Sequence, residues 1–156
     1  MAALGIIYGL AALLTLACSQ LGAAAMGVPV FAWCALLIFV LQWLAFIPAY
    51  KYQTERYYDL TGSLTYISAI ALAIWLAGKT DGRSLLLAAL VGIWAVRLGS
   101  FLFRRISVQG GDSRFDRIKP HPVRFFVTWS LQGLWVLVTA SAALAAITST
   151  RVESLA

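Results

Sequence analysis

Residues 30–50, VFAWCALLIFVLQWLAFIPAY, decide the fold. The stretch holds no Asp, Glu, Lys or Arg, and at ~1.5 Å of rise per residue a helix built from it matches the ~30 Å hydrocarbon core of a bilayer. A surface helix of a soluble protein would alternate this apolar material with a charged face. Working outward, no charged residue occurs anywhere in residues 1–50, and residues 60–78, 84–96 and 125–150 are uncharged as well. With 62% hydrophobic and only 12% charged residues among 156, the chain is too apolar for an ordinary soluble domain. These runs predict an all-α, polytopic transmembrane helix bundle, one domain over residues 1–156. About five spanning helices are expected, over 2–22, 30–50, 62–78, 84–103 and 123–147.

The first segment, MAALGIIYGLAALLTLACSQ, lacks the basic start of a secretory signal and reads as a retained helix. Gly5 and Gly9 within it form a G-x-x-x-G pair, expected to serve helix packing inside the chain. Pro29 suits a helix start, and Pro120, His121 and Pro122 read as a stiff entry to the last helix. Cys18 and Cys34 sit in apolar runs with no metal-ligand or redox spacing, and His121 has no second ligand nearby, so no metal site is expected.

The formal charge of +6 does not point to nucleic acid, because the cations flank hydrophobic spans. Topology and anionic membrane lipids account for them. With loops assigned alternately, Lys51, Arg56, Arg104, Arg105, Arg114, Arg117, Lys119 and Arg124 share one side, against Lys79, Arg83 and Arg151. The positive-inside rule then makes the N-terminus and loops 51–59 and 104–124 cytoplasmic, with the C-terminus at Ala156 on the far side.

Those two loops concentrate the polar chemistry. In YKYQTERYYDLTGS, residues 50–63, the tyrosines suit an interfacial aromatic belt, and Asp59 or Thr61 suits a cap for the third helix. The functional alternative is a polar pocket end, in which Tyr57 or Tyr58, with Glu55 or Asp59 as partner, donates to a substrate carbonyl. In FRRISVQGGDSRFDRIKPHPVR, residues 103–124, Gly110 and Gly111 lie among Arg104, Arg105, Arg114, Arg117 and Lys119 and could expose backbone N–H groups to an anion, although no P-loop or Rossmann pattern is present. Arg97 lies inside a predicted span and either faces the bundle or snorkels to the interface. Gln42, Gln132, Thr128 and Ser130 are further polar groups at membrane depth, read first as interhelical bonds.

YYDLTGSLTY at 57–66, GIWAVRLGSFLFRRI at 92–106, GGDSRFD at 110–116 and WSLQGLWV at 129–136 occur in the order and spacing of a known group. Together they resemble a bacterial and eukaryotic membrane family of the steroid 5-alpha-reductase superfamily, over about residues 43–144. The resemblance implies an integral membrane protein, of a bacterial inner membrane, that reduces a C=C bond conjugated to a carbonyl in a lipid or isoprenoid with NADPH. It implies that Tyr57, Tyr58, Asp59 and Glu55 lie near the substrate carbonyl, and that Arg97, Arg105, Asp112 and Arg114 help to hold NADPH. Members ordinarily continue into further helices and a motif of the type Arg-His-Pro-Asn-Tyr, whereas this sequence ends RVESLA. The chain is therefore expected to match the N-terminal, substrate-side part of a longer fold and to need C-terminal sequence for a complete cofactor site. The rival expectation is a non-catalytic accessory or lipid-binding subunit with partner membrane subunits. A transporter fragment ranks last, since no inverted repeat is visible.

Overall fold

A computed structural model describes residues 2–150. Its helices are α1 (Ala2–Ser19), α2 (Val30–Lys51), α3 (Tyr58–Ala77), α4 (Gly82–Gln109) and α5 (Pro122–Thr148). Each is long and apolar enough to cross a membrane, as the uncharged runs predict. Arg151 and Ala156, assigned above to the far side, lie outside the described residues.

Local chemistry sets the helix ends. A two-residue hairpin, β1 (Ala24–Ala25) with β2 (Val28–Pro29), joins α1 to α2. Met26 and Gly27 at its tip have φ of 54° and 77°, the pattern of a two-residue turn with both central residues left-handed. Asp81 caps α4 by accepting from the Ser84 N–H at 3.1 Å and the Ser84 hydroxyl at 2.8 Å. Left-handed Gly78 and Gly110 close α3 and α4. Pro122 opens α5 in its first turn, as the sequence anticipates.

Helix α3 starts four residues ahead of the expected position 62, and this overturns the capping expectation. Asp59 lies within the first turn rather than before it, and the Thr61 hydroxyl donates back to the Tyr57 carbonyl at 2.8 Å. The polar residues that suggested a loop are the first turn of the helix itself.

Helix α3 lies at the centre, with α4 on one flank and α2 and α5 on the other; α1 packs on α5 and α2. The fully buried side chains Phe31, Ile38, Trp129, Leu137 and Leu144 come from α2 and α5 and fill the space between them. Gln42 Nε2 donates to Thr65 Oγ1 at 2.9 Å, and the Tyr8 and Ser130 hydroxyls meet at 3.0 Å, so these groups join helices as expected. The G-x-x-x-G expectation is corrected: a Cβ built on Gly5 or Gly9 meets nothing within 4 Å. The close approaches fall elsewhere, at Gly62 against Gln132, at Gly99 against Ser63 and at Gly133 against Phe39. At the far end Ala23 N–H donates to the Thr148 carbonyl at 2.7 Å and Thr150 N–H to the Leu21 carbonyl at 3.0 Å, tying the first hairpin to the end of α5.

Candidate functional site: a groove beneath a charged mouth

Because α4 and α5 each pack on α3 but scarcely on one another, a groove opens between them. Its volume is about 350 Å³, within the range of small-molecule sites. Helix α3 forms the floor. Asp59, Ser63 and Tyr66 recur at intervals of four and three residues and so share one helical face. Leu98 and Leu102 of α4 and Leu131, Trp135 and Val136 of α5 form apolar walls.

The polar end of this groove is specific. Ser63 is 4% exposed, and its hydroxyl is buried without a partner. Gln132 Nε2 donates to the Tyr58 carbonyl at 3.0 Å, while its Oε1 is buried and accepts nothing. Asp59 pairs loosely with Arg105, at 3.7 Å with both side chains about a third exposed. Tyr58 donates its hydroxyl to the Thr128 carbonyl at 3.0 Å, and its ring packs edge-on against Phe115 and Trp129. Its proton is thus already committed. At the inner end the Tyr66 hydroxyl meets Thr139 Oγ1, and the Tyr66 ring meets Trp94.

The mouth above the groove is built by a clamp between the two charged loops. Glu55 is 7% exposed; it accepts from Lys119 Nζ at 2.7 Å and from the Asp112 backbone N–H at 2.9 Å. Lys119 Nζ also reaches Asp116 at 3.3 Å. Burial pushes the Glu55 carboxyl upward, but the hydrogen bonds from Lys119 and Asp112 and the ammonium charge outweigh it, so it lies below its ordinary value. Burial likewise opposes the Lys119 ammonium, and its bonds to Glu55 and Asp116 raise it net. Asp112 takes the Arg114 guanidinium through both carboxylate oxygens, which holds its carboxyl low.

The sequence-selected residues therefore separate into groups. Tyr58 and Asp59 line the groove, whereas Glu55 turns away into the inter-loop clamp. Tyr57 is 53% exposed and stacks on Phe103 outside the groove. Arg105, Asp112 and Arg114, with Gly111 and Ser113, enclose a polar space of about 300 Å³ beside the mouth. Arg97 stands apart on the exposed flank of α4, roughly 12 Å along the axis from Arg105, beside Trp94, Leu98 and Phe101. Ser63 and Gln132 complete the groove. Ser63 was not singled out from the sequence, although its place four residues after Asp59 was a readable signal.

NADPH, implied by the resemblance, can be tested against the space beside Arg105. Arg105 Nε is buried without a partner, a donor that a phosphate oxygen would meet, whereas Arg114 gives its Nε and Nη2 to Asp112, whose carboxylate lines the same space. The fit among the described residues therefore extends to one phosphate contact at Arg105, not to a whole dinucleotide.

Five apolar helices and a groove that opens outward beneath a charged mouth define a polytopic α-helical integral membrane protein. Residues 43–156 match the model of the family described as "Protein of unknown function (DUF1295)". The chain belongs to that family. Neither a comparison with curated proteins nor one with solved structures gave a match.

Proposed function

We propose that the protein is a steroid 5-alpha-reductase-like membrane enzyme that reduces a C=C bond conjugated to a carbonyl in a lipid or isoprenoid. The observation that carries this reading is the free Ser63 hydroxyl, buried at the polar end of an otherwise apolar groove. A buried donor with no internal partner is costly unless a ligand meets it, and an enone oxygen is an acceptor of the right kind. When bound, NADPH supplies the hydride for the β-carbon, and Arg105 would meet a phosphate of it.

The chain's own residues supply the electrostatics. Ser63 O–H donates to the carbonyl oxygen and strengthens that bond as the oxygen gains enolate character. Leu98, Leu102, Leu131 and Trp135 hold the lipid skeleton and keep water from the β-carbon, and the proton that the α-carbon takes up to complete the reduction comes from solvent at the mouth. Tyr58, fixed by Thr128, Phe115 and Trp129, positions the Gln132 side chain through its carbonyl rather than donating to substrate. This replaces the tyrosine donor expected from sequence with a serine.

The test is NADPH consumption by the natively expressed protein in lipid nanodiscs, with long-chain enones as substrates. Lipid-dependent consumption should fall by about 10²-fold in Ser63→Ala, as for other lost oxyanion donors, with thermal stability preserved. A protein that binds enones yet never consumes NADPH would instead be a lipid-binding or accessory subunit.

A further inference from the structure

Two buried polar atoms at the polar end of the groove are free, and they differ in kind. Ser63 Oγ carries a proton it can donate. Gln132 Oε1 is an acceptor only, and its orientation is fixed by chemistry: the amide nitrogen must face the Tyr58 carbonyl at 3.0 Å, because an amide oxygen there would oppose another acceptor. The oxygen is consequently turned away from that bond and left with no protein donor. A carbonyl on the ligand satisfies Ser63 and leaves Gln132 unsatisfied. Phosphate, ether and ester groups fail in the same way, since each only accepts.

From this we infer that the groove's ligand is a neutral lipid carrying a free hydroxyl, which donates to Gln132 Oε1 while a second polar function of the lipid accepts from Ser63. Asp59 at the mouth side of the same groove adds a carboxylate that disfavours a phosphate headgroup. The apolar walls of Leu98, Leu102, Leu131 and Val136 take the hydrocarbon, and the gap between α4 and α5 gives it a lateral entrance. The inference deepens the reductase proposal and rests on its reading of the groove as the substrate site.

The experiment is photolabelling in nanodiscs with a diazirine-bearing long-chain alcohol, competed by octadecanol, its methyl ether and octadecyl phosphate. Adducts are expected on the α4 and α5 residues that line the groove. Octadecanol should compete at a concentration at least about tenfold lower than either acceptor-only analogue, the cost of leaving one buried acceptor unmet. Gln132→Met should reduce that preference to about twofold or less, and Ser63→Ala should retain it, because the ether and alcohol differ only in the donor that Gln132 receives. Equal competition by alcohol and ether in the unaltered protein overturns the inference even if Gln132→Met fails to fold, and so does labelling confined to other surfaces. Alcohol preference without enone turnover would support the hydroxyl site and remove the reductase reading. Turnover without alcohol preference would do the reverse.

Discussion

At the residue scale, the width of the groove is set where α4 meets its floor. A Cβ built on Gly99 would lie 2.7 Å from Ser63 Cβ and 2.8 Å from Ser63 Oγ, closer than real side chains approach. Ser63 is short and buried and has no far end to swing aside, so Gly99→Ala must push α3 and α4 apart. The expected cost is about 1–3 kcal/mol, read as a lower unfolding temperature in detergent, together with weakened labelling of the groove. Gly92 lies on the same helix with nothing within 4 Å of its built Cβ, and Gly92→Ala should leave both readouts unchanged or gain slightly in stability. Equal effects of the two substitutions would show that helix propensity, rather than the Ser63 contact, governs this position.

At the scale of elements, the loop after α2 and the loop after α4 are joined chiefly through Glu55. Its folded-state carboxyl lies below its ordinary value of 4.5, so its contribution is full above that value and fades as pH falls through the lower folded-state value. Lys119 is raised above 10.5, so its share is full below that value and fades as pH rises beyond it. The clamp should therefore be at full strength throughout the neutral range. Glu55→Gln keeps an acceptor for the Asp112 N–H but sets an uncharged amide against the Lys119 ammonium, and should cost about 1–3 kcal/mol near neutral pH. Thermal unfolding of the two proteins across pH checks this: their difference should shrink only below the carboxylate range, and a constant difference down to strong acid would remove the charge from the explanation. The same pair marks a limit of the sequence. Glu55 and Lys119 are 64 positions apart, and nothing in their local patterns pairs them, so Glu55 was grouped with its neighbours Tyr57, Tyr58 and Asp59. The spans were legible because a bilayer demands long uncharged runs, which few other structures would tolerate. The start of α3 was not, since Tyr58, Asp59 and Thr61 carry loop-like chemistry while occupying helical turns. The polarity of Tyr58 and Asp59 marks them in the sequence, whereas Ser63, which lines the same groove, is an uncharged serine marked only by its spacing four residues after Asp59.

At the scale of the whole molecule, charge and closure divide the bundle into two unlike ends. One end carries the mouth, the inter-loop clamp and the cations at Arg56, Arg104, Arg105, Arg114, Arg117 and Lys119. The other is shut by the hairpin bonded to the last turn of α5, with Lys79 and Arg83 beside the α3–α4 turn. On the proposed reading, lipid would enter from the side, between α4 and α5, and a water-soluble cofactor through the mouth. Access for such a cofactor from the cytoplasm thus depends on the orientation that the positive-inside rule assigns. Single reactive cysteines can decide it. Cys34 is fully buried and can stay, while Cys18→Ser removes the half-buried thiol. On that background Met26→Cys, at an 88% exposed hairpin position, should react with a membrane-impermeant maleimide on intact cells. Ser113→Cys, beside Arg105 and Arg114, should react only after the cells are opened. The opposite pattern would put the mouth outside, where NADPH is not supplied, and the charged loops would then have to serve an extracellular ligand instead.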